Sequence, residues 1–161
     1  MKGSDVVLQH LQRAIIMELS TVSTYTRQAR QLADWGVDRL AKHMAEEVEE
    51  ERGHAQRFID RMLFLEGTPD VHSLDSTEPD ASVRGVFETQ MRLEKEAREY
   101  YAKAREECGD AGDPGTAHLF REILEDEEEH IDYLETQFSL MEMMGEQLYI
   151  ARHVSSEADE G

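Results

Sequence analysis

The chain has 161 residues, with 17 Lys and Arg against 36 Asp and Glu, a formal charge of −19, and a single cysteine. That length suits one domain with a core of its own, and one cysteine excludes an intramolecular disulfide and with it a secreted disulfide scaffold, so a cytoplasmic setting is expected. No apolar run reaches the roughly 20 residues that span a bilayer, the opening MKGSDVVLQH lacks a basic-then-apolar signal pattern, and so acidic a surface repels phosphate backbones and attracts cations. Neither a membrane nor a nucleic acid is an expected partner; a metal ion is.

Glycine and proline cluster at Gly36, at Gly67-Thr-Pro69, at Pro79, between Gly109 and Gly115, and at Gly145, and they divide the chain into long pieces. Apolar residues recur at helical spacing within each piece. The first stripe runs Leu11, Ile15, position 18, Val22, Tyr25, Ala29, Leu32; the second Leu40, Met44, Val48, position 51, Ala55, Phe58, Met62. The third runs Val83, Phe87, Gln90, position 94, Ala97, Tyr101, Ala104, Cys108; the fourth Ala117, Phe120, Leu124, position 127, Ile131, Leu134, Phe138, Met141. Ser4 or Asp5 is placed to cap the first helix, Asp80 or Ser82 the third, and Asp113 before Pro114 the fourth. Short breaks after the first and third helices make antiparallel hairpins. The stretch from Gly67 to Pro79 is long enough to run the length of a bundle, roughly 40 Å when extended. The expected fold is all-α: a four-helix bundle with one long crossover between helices 2 and 3, and a short fifth helix from Glu146 to His153. Residues 1–154 form this unit, and 155–161 are expected to be an acidic, disordered tail.

The positions passed over in the stripes are Glu18, Glu51, Glu94 and Glu127. Each helix interrupts its apolar face once, near its middle, with the same residue type. A buried, unpaired carboxylate costs several kcal/mol, so four of them at one level of an antiparallel bundle require a common partner. Two are followed at i+3 by histidine, in Glu51-Arg-Gly-His54 and Glu127-Glu-Glu-His130, which places an imidazole on the same helix face. A single Glu-x-x-His is common in a chain this rich in Glu. Two copies on the stripes, joined by two lone stripe glutamates, make the ligand set of a dinuclear metal site inside a bundle. Four carboxylates balance the charge of two divalent cations, and carboxylate with imidazole suits iron, manganese or zinc. Tyr25, two turns beyond Glu18, is a core tyrosine whose hydroxyl could bond a ligand carboxylate or supply an electron. His10, His43, His72, His118 and His153 read as ordinary surface histidines.

The chain resembles the bacterioferritins nearly end to end. The resemblance is carried by the opening MKG, by DWGV at Asp34 to Val37, by MLFLEGTP at Met62 to Pro69, and by EILEDEEEHIDYLET at Glu122 to Thr136. It implies a ferritin-like four-helix bundle and a ferroxidase centre of two iron ions at Glu18, Glu51, His54, Glu94, Glu127 and His130, with Glu51 and Glu127 bridging. It also implies a 24-subunit cage that oxidises Fe(II) with dioxygen or hydrogen peroxide and stores ferric mineral. Glu46 and Glu50 match positions that hold iron at the inner surface, and Asp34, Glu66, Asp132 and Thr136 match pore residues.

Two departures bear on function. The family's haem-ligand methionine is replaced by Arg52, whose guanidinium cannot ligate iron, so the chain alone is expected to bind little or no haem b. A mixed cage, in which a second bacterioferritin subunit type supplies the methionine, is the alternative. Thr68, Ala81 and Gly85 stand where the family meets its ferredoxin reductant, so that partner is not carried over. A rubrerythrin-type peroxidase shares the Glu-x-x-His pairs but usually carries Cys-x-x-Cys motifs, which one cysteine cannot supply.

Overall fold

A computed structural model describes residues 1–155. It contains α1 (Asp5–Asp34), α2 (Asp38–Phe64), α3 (Val83–Asp110), α4 (Pro114–Met144) and a short α5 (Glu146–Ala151). The chain is all-helical with the expected bundle topology. The proposed acidic tail lies, apart from Ser155, outside the described residues. No helix among the described residues is long and apolar enough to cross a membrane.

The helix ends follow from local chemistry. Ser4 accepts from the Val7 amide, Ser82 from Gly85, and Asp113 from Thr116 with Pro114 behind it, so each of these caps satisfies an amide with no intrahelical partner. Gly145, at φ 79°, breaks α4 from α5 with a backbone turn that an L side chain resists. The fifth helix stops at Ala151, two residues short of the expected His153; the chain turns there, and the His153 carbonyl accepts from the Arg39 amide instead.

α1 packs along α2 and α3 along α4; α1 also meets α3, and α2 meets α4. The crossover leaves α2 at Leu65 and is fastened along α1 by side chains. Gln12 exchanges two hydrogen bonds with the Asp70 backbone at 2.8 Å, Ser20 accepts from the Asp75 amide at 2.9 Å, Arg27 donates to the Thr77 carbonyl at 2.9 Å, and Gln31 donates to the Asp80 carbonyl at 2.7 Å. These contacts hold a segment with almost no regular structure against the bundle.

The core has two apolar halves. One contains Val7, Leu11, Ile15, Phe58, Leu65, Tyr101, Phe120 and Ile123; the other Leu32, Met44, Val86, Phe87, Leu134 and Tyr149. Each large side chain so buried contributes about 1.5–3 kcal/mol. Between the halves lies a polar layer that apolar packing closes off from above and below. On α4 the buried face is Thr116, Phe120, Ile123, Glu127, His130, Leu134, Gln137 and Met141. Ala117, Leu124, Ile131 and Phe138 of the expected stripe are only partly buried, because Thr116, Ile123, His130 and Gln137, each one position earlier, take the inward places.

Candidate metal centre

Glu18, Glu51, Glu94 and Glu127 are each no more than 3% exposed, and they meet in the polar layer, one from each long helix. His54 and His130 are buried beside them, with nearly parallel rings whose centroids are 6.3 Å apart. The six side chains form two overlapping groups. Glu18, Glu51, His54 and Glu127 offer ligand atoms within 4.8 Å of one another, and so do Glu51, Glu94, Glu127 and His130. Glu51 and Glu127 belong to both.

The inward atoms are the Nδ1 nitrogens. His54 Nδ1 lies 3.4 Å from Glu51, 3.3 Å from Glu127 and 3.8 Å from Glu18; His130 Nδ1 lies 3.1 Å from Glu51, 3.4 Å from Glu127 and 3.5 Å from Glu94. Both Nδ1 atoms, both Glu127 oxygens and Glu51 Oε1 are buried without a hydrogen-bond partner. Buried polar atoms are almost always satisfied, so five orphaned donors and acceptors around one point fit a cation pair. The donor set is carboxylate and imidazole without thiolate; Cys108 is buried in the apolar half-core and joins neither group.

Electrostatics agree with that fit. Burial, followed by repulsion from Glu51, holds the Glu18 and Glu127 carboxyls well above the usual range. Burial pushes Glu51 the same way, but the imidazoles of His130 and His54 close beside it outweigh that and leave Glu51 below the ordinary value. Burial opposes charge on the imidazoles of His54 and His130 too, yet their contacts with the carboxylates raise both. Burial thus disfavours the bare anions of Glu18 and Glu127, and protons and divalent ions would compete for them.

Tyr25 is buried, and its hydroxyl donates to Glu94 rather than to Glu18 on its own helix. The arrangement is repeated by Tyr101, whose hydroxyl donates to Glu18. Each tyrosine takes one oxygen of a glutamate and so fixes the carboxylate's direction. Asp126 lies 3.1 Å from His54 Nε2 in a hydrogen bond that orients that ring from behind, whereas Glu47 and Glu50 lie 3.1 and 3.4 Å from His130 Nε2 without a hydrogen bond to it. Burial lifts the Glu47 carboxyl to about 7. Glu50 therefore lies next to the cage, whereas Glu46 is exposed and joins no group of candidate ligands among the described residues.

Sequence reasoning missed Tyr101, Asp126 and Glu47. A spacing of 76 positions relates the two hairpins: 18 to 94, 51 to 127, 54 to 130, 25 to 101 and 50 to 126. That offset, applied to Tyr25 and Glu50, finds Tyr101 and Asp126; Glu47 corresponds to Ile123 and has no such signal. His10 is a correction: it is buried, with both ring nitrogens engaged from α3. Arg52 is exposed and paired with Glu49 at 3.6 Å.

The family described as the ferritin-like domain matches residues 8–144. A bacterioferritin of Brucella melitensis biotype 1 is 41% identical over 92% of each chain, and one of Rhodobacter capsulatus 39% identical over 91% of each. The chain belongs to the bacterioferritin family. Among solved structures, Mycobacterium tuberculosis bacterioferritin BfrA superposes with a TM-score of 0.94 at 35% identity, covering 96% of this chain and 98% of that one. The resemblance that the motifs carried is therefore shown over nearly the whole sequence, and the likeness extends to the backbone.

Proposed function

We propose that this chain stores iron and acts as a ferroxidase, with two iron ions held by Glu18, Glu51, His54, Glu94, Glu127 and His130. The observation that carries the reading is the pair of overlapping Glu/His groups that share Glu51 and Glu127. Shared carboxylates keep two cations adjacent, so two Fe(II) can give two electrons to one oxidant molecule and no one-electron fragment escapes. With hydrogen peroxide, two Fe(II) and two protons yield two Fe(III) and two waters; with dioxygen, the two electrons give peroxide. Tyr25 and Tyr101 hold Glu94 and Glu18 in place, Asp126 holds the His54 imidazole, and Glu47 puts an acid beside that of His130. Glu50, behind His130, is a candidate stop for ferric iron on its way inward.

Membership in the bacterioferritins supports assembly into a closed cage, for which 24 subunits and a cytoplasmic setting are the proposed arrangement. Arg52 supports a homo-oligomer without haem; the visible spectrum after haem reconstitution tests this, and a strong Soret band from this chain alone would overturn it. Glu18→Ala and Glu51→Ala are expected to slow Fe(II) oxidation in air by at least about ten-fold, a loss of more than about 1.4 kcal/mol of barrier lowering. Unchanged stopped-flow kinetics in both variants would remove the ferroxidase assignment.

A further inference from the structure

One group of titratable side chains lies outside the carboxylate cage. His10 on α1 is 7% exposed, and α3 engages both sides of its ring: Nδ1 lies 2.8 Å from the Tyr100 hydroxyl and Nε2 lies 2.7 Å from a Glu107 oxygen. A carboxylate only accepts, so in the neutral ring Nε2 carries the hydrogen, and Nδ1 presents its lone pair to the Tyr100 O–H. Tyr100 therefore donates to a base that is itself backed by an acid.

The Tyr100 ring stands edge-on to Tyr101 at a centroid distance of 6.3 Å, and the Tyr101 hydroxyl donates to Glu18. Continuous aromatic contact thus leads from the cage to a phenol with a proton acceptor already in place. Burial pushes the Tyr100 phenol up to about 12, so it keeps its proton near neutral pH and loses an electron readily only when the proton leaves too. Tyr25 differs, because its hydroxyl points to a cage carboxylate.

We propose that Tyr100 is a proton-coupled one-electron donor to the cage, with Tyr101 as the conducting ring and His10, held by Glu107, as the proton acceptor. The inference takes its oxidant from the ferroxidase reading. When hydrogen peroxide meets a cage holding one Fe(II) instead of two, the iron gives one electron, and hydroxide and a hydroxyl radical result. That radical needs one more electron. Tyr100 supplies it through Tyr101: the phenolic O–H bond breaks, the electron reduces the hydroxyl radical to hydroxide, and the proton moves to His10 Nδ1. The products are hydroxide, an imidazolium facing Glu107, and a neutral tyrosyl radical on a half-buried residue. Charge and atoms balance, and a diffusible oxidant has become a localised one.

A role limited to tying α1 to α3 would produce no radical, so electron paramagnetic resonance separates the two. Hydrogen peroxide added to protein carrying one Fe(II) per chain is expected to give a tyrosyl signal that Tyr100→Phe loses and that Tyr149→Phe, whose hydroxyl bonds Gln137 away from the cage, keeps. In the metal-free protein, a photogenerated ruthenium(III) polypyridyl oxidant is expected to give the same signal, formed more slowly in deuterium oxide and in His10→Gln. Tyr100→Phe preserves the ring and its packing, so the result does not hinge on the histidine variant folding. A signal undiminished in Tyr100→Phe, or no tyrosyl signal from the metal-free wild type, would overturn the relay. A Tyr100 radical in the metal-free protein, together with failure of the wild type to oxidise Fe(II), would remove the ferroxidase reading and leave Tyr100 redox-active.

Discussion

At the scale of single residues, the cage is a place where protons and cations compete for the same oxygens. Glu18 and Glu127 bind protons in the folded chain at pH values where an unfolded chain has released them, because burial and the neighbouring Glu51 charge disfavour ionisation. Glu47 acts in the same sense, lifted from 4.5 to about 7, and the raised imidazoles of His54 and His130 do so from 6.5 upward. A folded-state value above the unfolded one stabilises fully at pH below the unfolded value, and the contribution fades as pH climbs through the folded value. The metal-free protein should therefore lose thermal stability as pH rises from about 5 to about 8, with a shallower slope in Glu127→Gln, as read by circular dichroism. The four glutamates were legible because a charged residue on an apolar stripe breaks a pattern. Tyr101 was hidden for the opposite reason: it fits the stripe, and only its hydroxyl shows its role. The burial of His10 depends on Tyr100 and Glu107, 90 and 97 positions away, and no local spacing encodes that.

At the scale of elements, helices and caps follow from short-range rules, whereas their fastening depends on contacts between distant segments. The four long helices and the crossover were readable from periodicity and from the Gly and Pro breaks, and the Asp113 cap from its place before Pro114; for the other two caps residue type narrowed the choice to Ser4 or Asp5 and Asp80 or Ser82, of which Ser4 and Ser82 cap. The tie between α2 and α4 was not. Arg61 donates to Thr116 at 2.9 Å and to Asp113 at 2.7 Å, and so joins the end of α2 to the cap of α4 across a partly buried ion pair. Arg61→Ala should cost about 2 kcal/mol in chemical denaturation, since hydrogen bonds to charged groups contribute about 1.5–3 kcal/mol. Where α2 gives way to the crossover, a Cβ on Gly67 would lie 2.7 Å from Met62 Cγ and 2.9 Å from Leu8 Cδ2. Gly67→Ala should destabilise by about 1–3 kcal/mol, the usual cost of overpacking, without changing Fe(II) oxidation at temperatures where the fold persists.

At the scale of the whole molecule, a formal charge of −19 opposes compaction, and the bundle adds to that cost by placing four carboxylates in its centre. Two kinds of relief act differently. Sodium chloride screens the exposed acids, which lie within reach of mobile ions, and should raise the thermal midpoint gradually without saturating at a fixed stoichiometry. Divalent cations in the cage bind the folded chain and not the unfolded one, so their effect follows mass action and amounts to about 2.7 kcal/mol per site at a hundred-fold excess over the dissociation constant. Zinc, which has no redox chemistry to complicate the measurement, should therefore raise the midpoint of the wild type steeply until two ions per chain are bound. A Glu18→Ala, Glu94→Ala double variant removes one carboxylate from each group but leaves the surface acids untouched. It should keep the response to sodium chloride and lose the steep response to zinc; calorimetry of both proteins at matched ionic strength reads the two effects separately. A zinc response that survives in the double variant would place the stabilising ions on the surface and not in the bundle.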